Sequence, residues 1–473
     1  MANTSILTGK DLLALGYPEG KTIGISLRLM AQHYHHFSLE DQIRLTAQVL
    51  ANPAEFLTHE KLASLAEALT EQVNPGVIPL HEAPLPFAVY DGAGIQEGAK
   101  RQMETAMRLP VAVAGALMPD AHQGYGLPIG GVLATRNAVI PYGVGVDIGC
   151  RMCLTLYPAP SGFIDQNRGP LKKILVDNTR FGRATFQKPM DHAVMDRAEF
   201  TEIPVLRSLK DRAFSQLGSS GGGNHFVEFG TVALPDAQNE FGLPVGDYLA
   251  VLSHSGSRGL GANIAGYYTK LAMQNCPLPQ EARHLAWLDL TTEAGQEYWL
   301  AMNLAGDYAS ACHHQIHDRL AKALALEPLA RVENHHNFAW KEQDANGQEL
   351  IVHRKGATPA GMGVLGIIPG SMTAPGYIVR GRGTAASVNS ASHGAGRQMS
   401  RTQAKNTLSA AQVQRHLQEA GVDVIGSGLD EAPMAYKDIR QVMAAQQDLV
   451  EVVGTFSPKI VRMCGDEQYL END

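Results

Sequence analysis

From about residue 90 onward, glycine cuts the chain into short apolar runs with few helical stretches between them. Segments 130–140, 226–229, 248–253 and 377–380 read as strands from their β-branched and aromatic residues and their glycine boundaries. Segments 297–324, 410–420 and 436–445 read as helices. Strands and helices do not alternate in regular βαβ units, which argues against a doubly wound parallel sheet or a β/α barrel. The pattern predicts an α+β body: mixed and antiparallel sheets with flanking helices.

The first part of the chain has another character. Ser38 precedes an apolar-periodic run to Val49 as a helix cap would, and a second such run covers 60–69. Pro75, Pro79, Pro84 and Pro86 then punctuate the sequence. We therefore expect a helical N-terminal appendage at 1–88 and a catalytic body at 89–473. His33, His35 and His36 are read as ordinary histidines on the surface of that appendage. With 473 residues, core size is not limiting. No apolar run approaches the roughly 18 residues of a membrane span. The longest, 109–118, runs straight into Pro119 and Asp120. The amino terminus lacks the apolar stretch of a signal peptide, so a cytoplasmic chain without a membrane partner is expected.

Thirty-nine basic residues against 47 acidic ones give a net charge of −8, which argues against bulk attraction to nucleic acid. The average conceals segment 350–418. It contains no Asp or Glu, yet carries Arg354, Lys355, Arg380, Arg382, Arg397, Arg401, Lys405 and Arg415. A glycine-rich, acid-free stretch suits a polyphosphate or nucleic-acid channel, because a carboxylate there would repel the ligand. A neutral loop with scattered solubilising arginines stays open beside that reading. The five cysteines, at 150, 153, 276, 312 and 464, are odd in number and irregularly spaced, so a reducing compartment with one or two functional thiols is expected rather than a disulfide framework. Cys150 and Cys153 form a CxxC, but the second pair of a structural zinc site is missing.

Residues able to do chemistry cluster at the ends of the strand-like runs, beside glycines. Asp147 and Cys150 share one turn; His225 follows a run of glycines; His254 opens HSGSRG; His336 lies in NHHN. Each alone is as readily a structural residue. Together, one carboxylate, one thiolate and three imidazoles suit Mn²⁺, Zn²⁺ or Fe²⁺ better than Ca²⁺ or Mg²⁺. A bridging thiolate would let five ligands hold two ions, an arrangement suited to displacement at phosphorus. His393, in SHGAGR within the acid-free segment, stands apart: an imidazole there is a competent nucleophile towards phosphorus, with Arg397 to neutralise a phosphate. A histidine that only bonds within its turn remains the alternative.

These motifs resemble those of the RtcB family of GTP-dependent RNA ligases. The likeness is carried by MPDAH (118–122), VGVDIGC (144–150), GGGNHFVE (221–228), HSGSRG (254–259), His336-Asn337, PGSM (369–372), HGAGR (393–397) and EAPMAYK (431–437), in the family's order across about 90–464. The resemblance implies an RtcB-like core; the first 85 or so residues have no counterpart, and departures from the family's pattern mark a divergent member. It implies that Asp147, Cys150 and His225 hold one Mn²⁺, and that Cys150, His254 and His336 hold a second. It implies that His393 attacks the α-phosphate of GTP, that the guanylate passes to an RNA 3′-phosphate made from a 2′,3′-cyclic phosphate, and that a 5′-hydroxyl then displaces GMP. Asn224, Phe226, Glu228, Asn337, Ser371, Gly394, Ala395, Gly396, Arg397 and Tyr436 match nucleotide contacts, Tyr436 as a stacking platform for guanine. RNA repair or tRNA splicing is the implied role, with room for an activating protein partner.

Three departures stand out. Arg151 replaces the small residue that follows the metal thiolate, and with Arg380 and Arg382 it is assigned to RNA. No lysine matches the family's C-terminal one, leaving Arg462 as the only substitute to face guanine. His313 and His317 lie where the family tends to have an arginine; their i, i+4 spacing lacks the glutamate of HExxH, so no metal site is expected there. Two alternatives remain: a metal-dependent nucleotidyltransferase or cyclic phosphodiesterase that seals poorly, and an inactive RNA-binding repair scaffold. Intact metal and nucleophile sets weigh against the scaffold.

Overall fold

The computed structural model describes residues 7–17, 21–71, 77–92, 94–160 and 162–465. Two compact units divide the chain, Met1–Ile78 and Pro79–Asp473. The division falls before the expected boundary at 88, because the backbone N–H groups of His81 and Leu85 donate to the carbonyls of Arg108 and Met107 in the larger unit.

The smaller unit is helical: Gly9–Ala14, Lys21–His33, Leu39–Ala51 and Ala63–Glu71. Ser38 caps its helix as expected, accepting from Asp41 N at 3.2 Å. Leu12, Met30, Val49, Leu62 and Leu65 make its core. His33 ends the second helix and His35 and His36 are exposed just beyond it.

In the larger unit the expected α+β architecture is present. A five-stranded sheet has the order Ala88–Val89, Ala112–His122, Ile129–Thr135, Glu349–Lys355, Asn337–Gln343. A larger, largely antiparallel sheet runs Leu365–Ile368, Gly376–Gly381, Val450–Met463, Phe226–Leu234, Gly246–Ser255, Arg151–Tyr157, Ala330–His335, with Asp423–Ile425 added in parallel to Val450–Met463. Its two ends come together at Asn334. That amide accepts from Ile367 N at 2.9 Å and donates to Thr358 Oγ1 at 2.7 Å, which closes an edge that would otherwise invite pairing. The long helix Glu293–Leu324 covers one face, near helices Arg258–Asn275 and Arg168–Asn178.

Most strand and helix expectations hold at this level. Segment 436–445 shortens to the helix Ile439–Ala444, because Tyr436 and Lys437 are extended and bond back to Arg397 and Gly396. The apolar run 109–118 becomes the strand Ala112–His122. Among the described residues, no helix is long and apolar enough to cross a membrane.

Candidate functional site

Strand ends carry the site. Asp147 and Cys150 occupy the turn that leads into strand Arg151–Tyr157, held by Cys150 N donating to Asp147 O at 3.2 Å. Gly149 in that turn has φ +71°, and a Cβ there would lie 2.8 Å from Gly306 Cα, so only glycine fits against the long helix. Gly256 serves the carboxylate in the same way: a Cβ would fall onto Asp147, whose Oδ1 instead accepts from Ser257 N at 3.1 Å. His225 immediately precedes strand Phe226–Leu234, His254 lies near the end of Gly246–Ser255, and His336 sits between two strands, donating from its N to Cys150 O at 2.9 Å.

These elements bring all five candidate ligands into one chain of contacts. Asp147 Oδ2 is 3.0 Å from His225 Nε2; His225 Nε2 is 3.4 Å and His254 Nε2 3.2 Å from Cys150 Sγ; His254 Nε2 is 3.2 Å from His336 Nε2. Cys150 therefore lies between the Asp147–His225 half and the His254–His336 half. His254 Nδ1 donates to Asn224 O at 3.1 Å, which leaves its Nε2 as a bare lone pair facing the thiol and another imidazole. Burial first, then the neighbouring imidazoles, push His254 and His336 well below the ordinary histidine range, so both are neutral. Burial and then Asp147 push the Cys150 thiol far up. Burial works against ionisation of Asp147, yet the hydrogen bond and charge of His225 outweigh it and hold the carboxyl below its usual range. A carboxylate, a thiol and three imidazoles converging in this way fit a soft divalent cation, which would take the place of the protons between them and stabilise the thiolate.

His393 is separate but adjacent, its ring 5.0 Å from that of His336. It follows strand Ser390–Ser392. Asp120, fully buried at the end of strand Ala112–His122, accepts from His393 Nδ1 at 2.7 Å, from His393 N at 3.1 Å and from Gly394 N at 3.3 Å. A ring that donates from Nδ1 to a carboxylate keeps the Nε2 lone pair. Lys437 steadies this strand end, donating to Pro119 O at 3.0 Å and Ala121 O at 2.9 Å. Sequence reasoning missed Asp120, although it stands inside MPDAH; its role needed the contact with a residue 273 positions away.

The metal-ligand candidates and His393 line one cleft of about 1140 Å³. Asn224, Phe226, Glu228, Asn337, Ser371, Gly394, Ala395, Gly396, Arg397 and Tyr436 line it too. Burial alone pushes the Glu228 carboxyl well above its usual range, so it can present a proton. Arg397 lies over the Tyr436 ring at 5.1 Å and Tyr436 OH donates to Glu431, a second residue the sequence reading passed over.

The RNA assignments are not brought together. Arg151 is buried away from the cleft, paired with Glu333 at 3.1 Å and donating to Gly306 O at 2.9 Å. Arg380 is tied to Glu240 and Glu451. Arg382 is exposed and outside the cleft lining. More broadly, the acid-free segment is not an acid-free surface. Arg354, fully buried, pairs with Glu342, while Arg401 and Lys405 face Asp430 and Glu431. Arg462 packs on Phe181 and donates to Leu175 O at 2.6 Å; its neighbours Val461 and Met463 line the cleft and it does not. Further cleft cations, Arg183, Arg212 and Arg258, come from parts of the sequence with no charge signal.

A thiol set between imidazoles and a carboxylate is a donor set able to hold a metal ion, and it lies beside a carboxylate-held histidine. The sequence profile described as "tRNA-splicing ligase RtcB" matches residues 102–205 and 171–463. The chain is 34% identical over 394 residues to "RNA-splicing ligase RtcB" of Escherichia coli K12, covering 77% of this chain and 93% of that protein. It is 32% identical over 416 residues to "tRNA-splicing ligase RtcB" of Nanoarchaeum equitans (73% and 87%), and 31% identical over 430 residues to "RNA-splicing ligase RtcB" of Mycobacterium tuberculosis (76% and 98%). The chain belongs to the RtcB family.

Proposed function

We propose that this protein is an RNA ligase that uses GTP and Mn²⁺ to join a 3′-phosphate or 2′,3′-cyclic phosphate end to a 5′-hydroxyl end. The observation that carries the reading is His393, held through Nδ1 by buried Asp120 with its Nε2 lone pair left available in a cleft that also holds Cys150 and its partners. In this reading His393 Nε2 attacks the α-phosphate of GTP; the N–P bond forms as the bond to pyrophosphate breaks. Asp120 keeps the ring in the reacting tautomer and stabilises the positive charge that develops on it. An oxygen of the RNA 3′-phosphate then displaces His393, and the 5′-hydroxyl oxygen displaces GMP. Asp147, Cys150 and His225, and Cys150, His254 and His336, would hold two Mn²⁺ ions, which when bound draw charge from the phosphate oxygens. The backbone N–H groups of 394–396 would take phosphate, with Arg397 and Tyr436, stacked on each other and tied to Glu431, bordering the nucleotide.

The test is incubation with α-labelled GTP and Mn²⁺. An acid-labile label on the protein, absent from His393→Ala, is expected. Stable labelling of His393→Ala, or no labelling of the metal-loaded wild type, would overturn the assignment. Labelling without strand joining on an RNA bearing 3′-phosphate and 5′-hydroxyl ends would instead favour the nucleotidyltransferase.

A further inference from the structure

We propose that Cys153, His313 and His317 form a second, structural metal site for Zn²⁺, on the opposite face of the sheet from the cleft, with Ser253 as its fourth donor. The proposal is independent of the ligase reading.

The ligands come from three elements. Cys153 lies on strand Arg151–Tyr157, in register with Ser253 on strand Gly246–Ser255. Side chains alternate along a strand, so Cys153 and Thr155, with Ser253 and Ser255, face away from the side on which His254 meets the cleft. The long helix Glu293–Leu324 lies over that face, and i, i+4 spacing puts His313 and His317 on one stripe of it. Cys153, Ser253, His313 and His317 are all completely buried. The thiol sulfur and one nitrogen from each imidazole lie within 4.8 Å of one another.

Hydrogen bonds orient the donors inward. His313 Nε2 can only donate to Ser255 O, 3.1 Å away, which leaves Nδ1 with its lone pair. His317 Nδ1 is 2.7 Å from Thr155 Oγ1, which also accepts from Arg331 Nε. The two inward nitrogens, His313 Nδ1 and His317 Nε2, both reach Ser253 Oγ, at 2.6 and 2.8 Å; the hydroxyl donates to His313 Nδ1 and accepts from His317 Nε2, a proton that moves to His317 Nδ1, opposite Thr155 Oγ1, when an ion binds. The outer nitrogens meet a carbonyl and a hydroxyl, as the outer nitrogen of His254 meets Asn224 O. A thiolate with two imidazoles selects zinc among the common divalent ions, and a closed, buried set with no room for substrate is the mark of a structural site. Binding displaces the Cys153 proton to solvent, and the thiolate with the nearby Glu333 carboxylate, its register neighbour, offsets the charge of the ion.

The consequence is mechanical. Cys153 lies on the strand that the Cys150 turn leads into, and Ser253 directly precedes His254. An ion here would staple the helix behind the strand that follows the cleft's thiol and the strand that carries His254.

The experiment counts metal in the full-length protein, produced with zinc and dialysed against EDTA. Wild type and Cys150→Ser should each retain about one zinc per chain, and Cys153→Ser and His317→Gln should lose it. X-ray absorption of zinc-loaded Cys150→Ser should show one sulfur at about 2.3 Å and two imidazole nitrogens at about 2.0 Å. Circular dichroism checks that each variant is folded; should Cys150→Ser or Cys153→Ser not fold, the count in wild type against His317→Gln decides. Equal zinc in those two proteins, or zinc without sulfur in folded Cys150→Ser, would overturn the proposal and leave the three residues as a hydrogen-bonded core network.

Discussion

Asp120 makes three hydrogen bonds through one oxygen to His393 and Gly394, all inside the protein. Replacing it with Asn keeps the shape and removes the charge that, in the proposed reaction, would stabilise His393 as it attacks. Asp120→Asn should slow labelling from α-labelled GTP by on the order of 10²-fold or more, while metal content stays at the wild-type level. An unchanged labelling rate would make Asp120 a packing residue. Cys150 tests the other half of the site. Because Cys150 contacts both halves of the ligand chain, Cys150→Ser should weaken every metal bound in the cleft, by more than the roughly 10–100-fold that loss of an outer hydrogen bond costs. Isothermal titration with Mn²⁺ measures this, and one class of cleft site surviving at full affinity would remove the shared role of the thiol. At this scale the residues that converge in the cleft were legible in the sequence, because thiol, imidazole and carboxylate beside glycine are uncommon in combination. Asp120 was not, since an isolated aspartate gives no sign of its partner.

Elements explain both what the sequence showed and what it hid. Strand starts and stops are marked by glycine and by β-branched runs, so 226–229 and 248–253 were readable as strands although each proved longer. Which face a strand residue takes is another matter. Val461 and Met463 meet the cleft, so the two-residue period turns Arg462 away, and no substitute for the missing lysine arises at that position. The turn that carries Asp147 and Cys150 depends on Gly149, at φ +71° and close against Gly306. Gly149→Ala must strain the backbone or push the long helix away, at about 1–3 kcal/mol. Its thermal midpoint should fall and its Mn²⁺ affinity should fall with it, because the helix cannot move without displacing the turn. A lower midpoint with unaltered metal binding would show that the turn is not what sets the ligand geometry.

Across the whole molecule, charge and titration depend on contacts that sequence order does not record. Segment 350–418 lacks acids, yet Glu240, Glu342, Asp430, Glu431 and Glu451 arrive from elsewhere and pair with Arg354, Arg380, Arg397, Arg401 and Lys405. A local charge count could not anticipate that. Burial of histidine is a second collective property. Burial pushes His353 down to about 4, and its neutral form is fixed from both sides: Nδ1 donates to Leu133 O at 3.1 Å, while Nε2 accepts from Ile140 N at 2.9 Å. His122 is likewise pushed to about 4, by burial and then by His393, and His313 and His335 to about 3, by burial first. Each group has a folded pKa below its unfolded value near 6.5, so between the two values the unfolded chain binds more protons than the folded one. Stability therefore rises with pH through that window and is lost on acidification below about pH 6.5, by up to about 1.4 kcal/mol per pH unit for each histidine that must stay neutral. Urea midpoints at pH 7, 6 and 5 should fall steeply for the wild type. In His353→Gln, whose amide can donate to Leu133 O and accept from Ile140 N without titrating, the fall should be shallower by one histidine's share. Parallel curves for the two proteins would mean that His353 takes up its proton without cost, and that the acid sensitivity lies with the other buried imidazoles.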